Sequence, residues 1–261
     1  MTSGPALITS RDNPLLKDLR KLAQDSTAYR KQGRVWLEGD HLCRAAIERG
    51  VKPAIAVFQE SAWPQYAGEF GTVADKTVLL AENLFASLSS LDSPAKMGFI
   101  VKMPEQALLK KGVPTVVLDG LQDTGNVGSI LRSAAAFGFR QILAIKGTAA
   151  LWSPKVLRAG MGAHFALDLL EGMEPPDAQA LDVPIVVTSS HEGELLHETK
   201  LPWPCAWVLG HEGQGVSTAM MEIADRKMRI AQPGGEESLN VAAAAAICLH
   251  ASAAAGVAKA G

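Results

Sequence analysis

Five short apolar runs recur in the second half of the chain, at residues 115–118, 141–145, 185–188, 206–209 and 228–231, and they alternate with helical stretches. A strand that is apolar throughout, rather than at every second residue, must be covered on both faces. Connection through helices makes such strands parallel. Residues 113–261 are therefore expected to form an α/β domain around a parallel sheet. In sheets of this kind ligands bind beyond the carboxyl ends of the strands. The loops that follow these runs are rich in glycine and carry Asn, Glu and Ser.

The first hundred residues read differently. Helical spacing is expected over residues 11–22, 40–49 and 82–88, and extended runs over 35–37, 54–58, 77–80 and 98–101. This is a smaller α/β domain, residues 1–104, joined through a polar, charged linker at 105–112 to the domain that begins at 113. With 48% hydrophobic and 20% charged residues the chain is an ordinary globular one, and its net charge is −2. Charge is unevenly distributed, however. Between Arg11 and Arg34 seven basic residues face three acidic ones, a local balance of +4 that suits phosphate contact. Arg11, Lys17, Arg20 and Lys21 are the candidate nucleic-acid contacts.

Several classes are excluded by what is missing. No G-x-G-x-x-G, G-x-x-x-x-G-K-[ST], H-E-x-x-H or G-x-S-x-G occurs, so dinucleotide, P-loop, zinc-hydrolase and elbow-serine chemistry lack their motifs. The three cysteines, Cys43, Cys205 and Cys248, are far apart, which disfavours a disulfide framework and fits a reducing cytoplasm. The apolar stretch 241–257 is mostly alanine and is interrupted by His250. It reads as a buried helix rather than a membrane span. No metal site is expected.

Three loops carry the polar chemistry. The first follows the run at 115–118 and reads D-T-G-N-V-G-S-I-L-R-S-A-A from Asp123. Asn126 is expected to cap a helix, Gly125 and Gly128 to let the backbone turn, and Arg132 to lie six residues beyond Asn126. The second, L-G-H-E-G-Q-G-V-S from Leu209, places three glycines within six positions around Glu212, so the backbone must approach something closely or adopt positive φ. The third, I-A-Q-P-G-G-E-E-S-L-N-V from Ile230, reverses the chain and starts an alanine-rich helix at Ser238 or Asn240.

In this order, across about 130 residues, the three segments resemble the signature motifs of the SpoU (TrmH-like) family of RNA 2′-O-ribose methyltransferases. The N-P-x-x-K pattern at Asn13–Lys17 and the L-E-G sequence at Leu37–Gly39 are similar, more loosely, to that family's substrate-binding domain. Thr124 stands where proline is frequent, and Ala231-Gln232 replaces a more usual apolar pair. The resemblance implies a sheet with a deep trefoil knot, a homodimer, S-adenosylmethionine as cofactor, and ribosomal or transfer RNA as partner. It implies cofactor contacts at Gly210, Ile230 and Leu239; Thr188 is the added candidate at the end of another strand. It implies a catalytic group of Arg132, Asn126, Glu212, Ser238 and Asn240. In the family the matching arginine is proposed to remove the 2′-hydroxyl proton. A guanidinium is normally protonated and an adjacent phosphate favours its charge, so the physical chemistry points instead to Arg132 orienting a phosphate and stabilising alkoxide charge.

Two other readings compete. A non-catalytic RNA-binding protein on the same fold is expected to have lost Arg132, Asn126 or the Ser238-Leu239-Asn240 cluster, and all are present. A base-methylating relative is expected to carry different loops.

Overall fold

The structure is a computed structural model that describes residues 4–89, 94–189, 192–234 and 239–260. Two units emerge, one of residues 1–105 together with 152–165, the other of residues 106–151 and 166–261.

The first unit opens on β1 (Ala6–Ile8), a three-residue edge strand too short to signal itself in the sequence. The helix expected at 11–22 is α1 (Pro14–Gln24), displaced because the Asn13 side chain accepts the Leu15 N–H and Pro14 fills the first turn, where no N–H is needed. Leu16, Leu19 and Leu22 form its buried stripe. There follow α2 (Ala28–Gln32), β2 (Arg34–Glu38), α3 (Asp40–Glu48), β3 (Ile55–Gln59), α4 (Trp63–Phe70), β4 (Lys76–Leu80), α5 (Glu82–Ala86) and β5 (Met97–Lys102). The sheet runs β1-β4-β3-β5-β2, with β5 antiparallel to both its neighbours. Gly98 makes room for the buried Trp36 indole: a Cβ there would sit 2.2 Å from the ring.

The second unit is built on β6 (Thr115–Asp119), α6 (Thr124–Ala136) and β7 (Gln141–Ile145). The next helix, α7 (Pro154–Gly160), groups with the first unit, so the division expected at 105–112 is not contiguous along the chain. Within that unit Arg158 reaches Glu38, whose side chain is nearly buried, at 3.0 Å. Gly162, at φ +86, lies against Ala45. The second unit resumes with β8 (Asp168–Met173), β9 (Ile185–Thr188), β10 (Glu194–Leu195), β11 (Ala206–Gly210), α8 (Thr218–Glu222), β12 (Arg226–Arg229) and α9 (Val241–Ala260).

All pairings in the order β10-β12-β9-β11-β6-β7-β8 are parallel. Seven strands stand where five apolar runs are legible, since the edge strands β8 and β10 carry charged residues and lack a continuous apolar run. The strand expected at 228–231 lies two residues earlier. Val116–Leu118, Val186–Val187 and Ala206–Leu209 are fully buried, and each large aliphatic among them stabilises the fold by about 1.5–3 kcal/mol. Of residues 105–112, expected as a linker, 106–112 group with this unit: Lys110 N–H donates to buried Gln141 (2.8 Å), and Gly112 N–H donates to Leu181 O (2.9 Å). The alanines of α9 allow close packing on α6 and β11. Ser252 accepts the Trp207 indole N–H at 2.8 Å. No helix among the described residues is long and apolar enough to cross a membrane.

Candidate active site

Strand order reverses direction between β6 and β11, the centre of the second unit's sheet. A crevice forms at the carboxyl ends on either side of such a switch. The loops after β6, β11 and β12 converge there.

After β6 the helix is capped by Asp123, not by Asn126 as expected. The Asp123 carboxylate accepts the Asn126 N–H at 2.7 Å, and α6 already begins at Thr124. Aspartate is itself a preferred cap, so the signal was present one turn earlier. Gly125 and Gly128 lie inside the helix and make no sharp turn. Asn126, thereby displaced into the first turn, directs its amide outward. Its Nδ2 donates to Glu212 Oε1 (3.2 Å), and its Oδ1 accepts from Asn240 Nδ2 (3.0 Å). Asn240 Oδ1 in turn accepts the N–H groups of Ala242 (2.9 Å) and Ala243 (3.2 Å), which caps α9. This relay orients both amides unambiguously, because the α9 N–H groups dictate which end of Asn240 must face them.

Glu212 closes the network. Its carboxylate also accepts the N–H groups of Asp123 (3.1 Å) and Gln122 (3.4 Å). Burial pushes its pKa up, but the bonds from its own N–H, Asn126, Asp123 and Gln122 outweigh that and hold it below the ordinary glutamate value. The ionised Glu212 thus pins its own loop to the one after β6, and Asn126 carries the link on to Asn240. At the other end of the β11 loop the Ser217 N–H donates to buried Asp119 at 2.7 Å.

The glycines of the β11 loop show both uses anticipated for them. A Cβ on Gly210 would lie 2.2 Å from the Gly215 carbonyl carbon, so the backbone passes itself at contact there, and Gly215 holds φ +71. Beside this loop opens a cavity of about 620 Å³, and Thr188, Gly210, Ile230 and Leu239 all line it. Met221 and Met228 add apolar surface, while Gln232 adds an amide oxygen that is buried and has no hydrogen-bond partner among the described residues. A buried acceptor left unserved costs about 1–3 kcal/mol, so a donor supplied by a ligand is favoured there. Apolar walls, close backbone and an unserved acceptor fit a nucleoside-bearing cofactor.

The structure brings together Asn126, Glu212 and Asn240, and separately Thr188, Gly210, Ile230 and Leu239. It does not bring Arg132 into either group. Six residues beyond Asn126, Arg132 points about 120° away around α6, is exposed, and makes no hydrogen bond or ion pair with a described residue. Ser238 lies outside the described residues. Of the basic candidates in the first unit, Arg11 and Lys21 are exposed, Lys17 pairs with Asp12 (2.9 Å), and Arg20 donates to Ser87 Oγ (3.2 Å). Among the described residues no group of three or more His, Cys, Asp or Glu side chains gathers as a metal ion would require.

Known proteins share this sequence pattern and fold. The sequence profile of the SpoU rRNA Methylase family matches residues 114–250, which span all three loops. The 23S rRNA (guanosine(2553)-2′-O)-methyltransferase RlmP of Bacillus subtilis is 30% identical over 247 residues, covering 93% of this chain and 97% of that protein. Among solved structures, a putative TrmH-family RNA methyltransferase from Porphyromonas gingivalis superposes with a TM-score of 0.80 at 28% identity, over 93% of this chain and 98% of its own. The AdoMet-bound rRNA methyltransferase from Sinorhizobium meliloti does so with a TM-score of 0.80 at 25% identity, over 94% and 96%. The parallel-sheet α/β fold expected from the sequence is that of these solved structures, and the chain belongs to the SpoU rRNA methylase family.

Proposed function

We propose that this protein transfers the methyl group of S-adenosylmethionine to a ribose 2′-hydroxyl of ribosomal RNA. The observation that carries the reading is the Asn126–Glu212–Asn240 relay, which ties the loops after β6, β11 and β12 together beside the cavity. RNA as substrate and ribose as target are also what the Bacillus subtilis relative's name states.

When bound, S-adenosylmethionine supplies a methyl carbon already activated by its sulfonium. The chain's own task is to hold a 2′-oxygen in line with that carbon, exclude water and manage the hydroxyl proton. In this reading Ile230 and Leu239 cover the apolar faces of the cofactor, Gly210 exposes backbone to its edge, and Thr188 borders its polar end. Asn126, Glu212 and Asn240, with Ser238, position the ribose by fixing the loops around it. Glu212 is poorly suited to act as a base, since hydrogen bonds already occupy both carboxylate oxygens. Arg132, exposed and without a bonded partner among the described residues, is free to grip an RNA phosphate and stabilise the charge that develops on the 2′-oxygen. Arg11, Lys17, Arg20 and Lys21 contribute RNA contacts on the first unit. The same reading includes a homodimer, a cytoplasmic location and a trefoil knot. Apolar Ile247 and Val257, exposed on α9, favour a subunit contact there.

The test is transfer of labelled methyl from S-adenosylmethionine to unmodified ribosomal RNA, wild type beside Arg132→Ala, followed by alkaline hydrolysis. A 2′-O-methyl group blocks attack on the adjacent phosphodiester. Label in alkali-resistant dinucleotides that disappears in the variant supports the reading; label only in mononucleotides moves the target to a base. Light scattering of the purified chain tests the dimer.

A further inference from the structure

We propose that His211 is a positioning residue that locks the β11 loop into its cofactor-binding shape through an unprotonated Nδ1, and that cofactor affinity is therefore lost on acidification. This rests on the reading of the neighbouring cavity as the S-adenosylmethionine site.

The loop from Gly210 to Val216 forms one wall of that cavity. Three of its backbone donors end on His211. Gly215 N–H donates to the His211 carbonyl at 2.8 Å, and the N–H groups of Gly213 and Gln214 donate to its ring Nδ1 at 3.0 and 3.3 Å. A nitrogen that accepts two backbone N–H groups carries no proton, so the ring hydrogen is on Nε2. The arrangement is the imidazole counterpart of the turn that an asparagine makes when its amide oxygen accepts N–H groups two and three residues ahead. An asparagine cannot change charge in the physiological range, whereas a histidine can.

Protonation at Nδ1 would turn the acceptor into a donor facing two donors. Both bonds would be lost and replaced by repulsion. The consequence reaches the cavity directly, because Gly215 and Val216, held by this turn, are the groups packed at contact against Gly210. Few other groups compete for the pH response. Across the cavity, the ends of β9 and β12, α8 and the start of α9 present no ionisable side chain among the described lining residues. Glu212 is the other titratable group of the lining, and its hydrogen bonds keep it ionised across the range in which imidazoles titrate. Asp119 sits beneath the far end of the loop, bonded to Ser217 rather than to the histidine.

The experiment is calorimetric titration of the full chain with S-adenosylmethionine from about pH 8 to about pH 5.5, with thermal melting at each pH to verify folding. For the wild type, loss of two hydrogen bonds predicts an affinity weaker by about tenfold or more at the acid end. His211→Asn is expected to bind within about threefold of wild type at pH 8 and to stay flat on acidification, since its amide oxygen accepts the same two N–H groups. His211→Ala is expected to bind about tenfold more weakly at every pH. In methyl transfer at about pH 8 His211→Ala should raise KM for the cofactor while His211→Asn keeps it within about threefold of wild type, and both should leave kcat within about twofold, because the ring is assigned no part in the chemical step. A flat wild-type curve, an unaffected His211→Ala, or a His211→Asn that retains the wild-type slope overturns the proposal while leaving the cofactor site standing. Absence of binding by the wild type at pH 8 overturns both.

Discussion

The three glycines of the β11 loop should respond to alanine in three different ways, and the structure supplies the reason for each. At Gly210 an added Cβ would lie 2.2 Å from the Gly215 carbonyl carbon, 2.2 Å from the Val216 nitrogen and 2.3 Å from the Gly215 oxygen. All three are backbone atoms, so no side chain can rotate away. Carbon contacts settle near 3.5–4.0 Å, and the loop must retreat by roughly 1 Å or more. Overpacking of this kind costs about 1–3 kcal/mol, equivalent to a fall in Tm of about 2–4 °C per kcal/mol for a chain of this size. Because the displaced segment is a wall of the cavity, cofactor affinity should fall at least about tenfold as well. Gly213 is the internal control. Its Cβ would meet only the His211 ring at 3.8 Å, and its φ is not in the left-handed region. Gly213→Ala should therefore melt at the wild-type temperature or slightly above and bind normally. Gly215 has open space around it but holds φ +71, so alanine there should cost roughly 1–2 kcal/mol from backbone strain alone. Thermal melting and calorimetric titration of the three variants decide the matter. A Gly210→Ala protein that melts and binds like wild type would refute the close-approach argument. Equal damage at Gly213 would show that the loop is merely sensitive to any change.

Three further outcomes follow from the same geometry. Asn240→Asp keeps an oxygen for the α9 N–H groups but loses the donor to Asn126, so stability should hold within about 0.5 kcal/mol while methyl transfer falls; Asn240→Ala should lose about 1 kcal/mol of capping in addition. Melting curves and initial rates separate the two effects. Ser252→Ala removes the acceptor of the Trp207 indole N–H in a fully buried setting, which should cost about 1–3 kcal/mol by denaturant titration. Glu212, whose folded pKa is lowered, contributes stability that is present above the unfolded glutamate value of about 4.3 and is lost as the pH falls through the lower folded value. Glu212→Gln should accordingly be less stable than wild type at pH 7, with the gap closing in acid; a gap independent of pH would refute the linkage.

The relation between sequence and structure divides along the range of the forces involved. Fully buried strands such as residues 206–209 announce themselves because each residue must be apolar wherever the rest of the chain goes. Glycine requirements at 210 and 215 are legible for the same local reason, and three motifs in order were enough to place the family. The first turn of α6 is not legible in the sequence because two good caps, Asp123 and Asn126, compete there, and only the completed backbone resolves them. Edge strands β8 and β10 are not legible in the sequence because Asp168, Glu171 and Glu194 break any apolar run there and their residues read as loop. What the sequence cannot contain is the meeting of Asn126 with Glu212, 86 positions away, and with Asn240, 114 positions away. Nor does it contain the grouping of α7 with the first unit through Arg158 and Glu38, or the angle at which Arg132 leaves the helix that also carries Asn126. Hydrophobic pattern and backbone freedom are properties of neighbours along the chain, and so the sequence alone determined the layers and the loops. Side-chain contacts among those loops depend on strand order and helix phase, which exist only once the sheet is assembled, and that assembly decided the site.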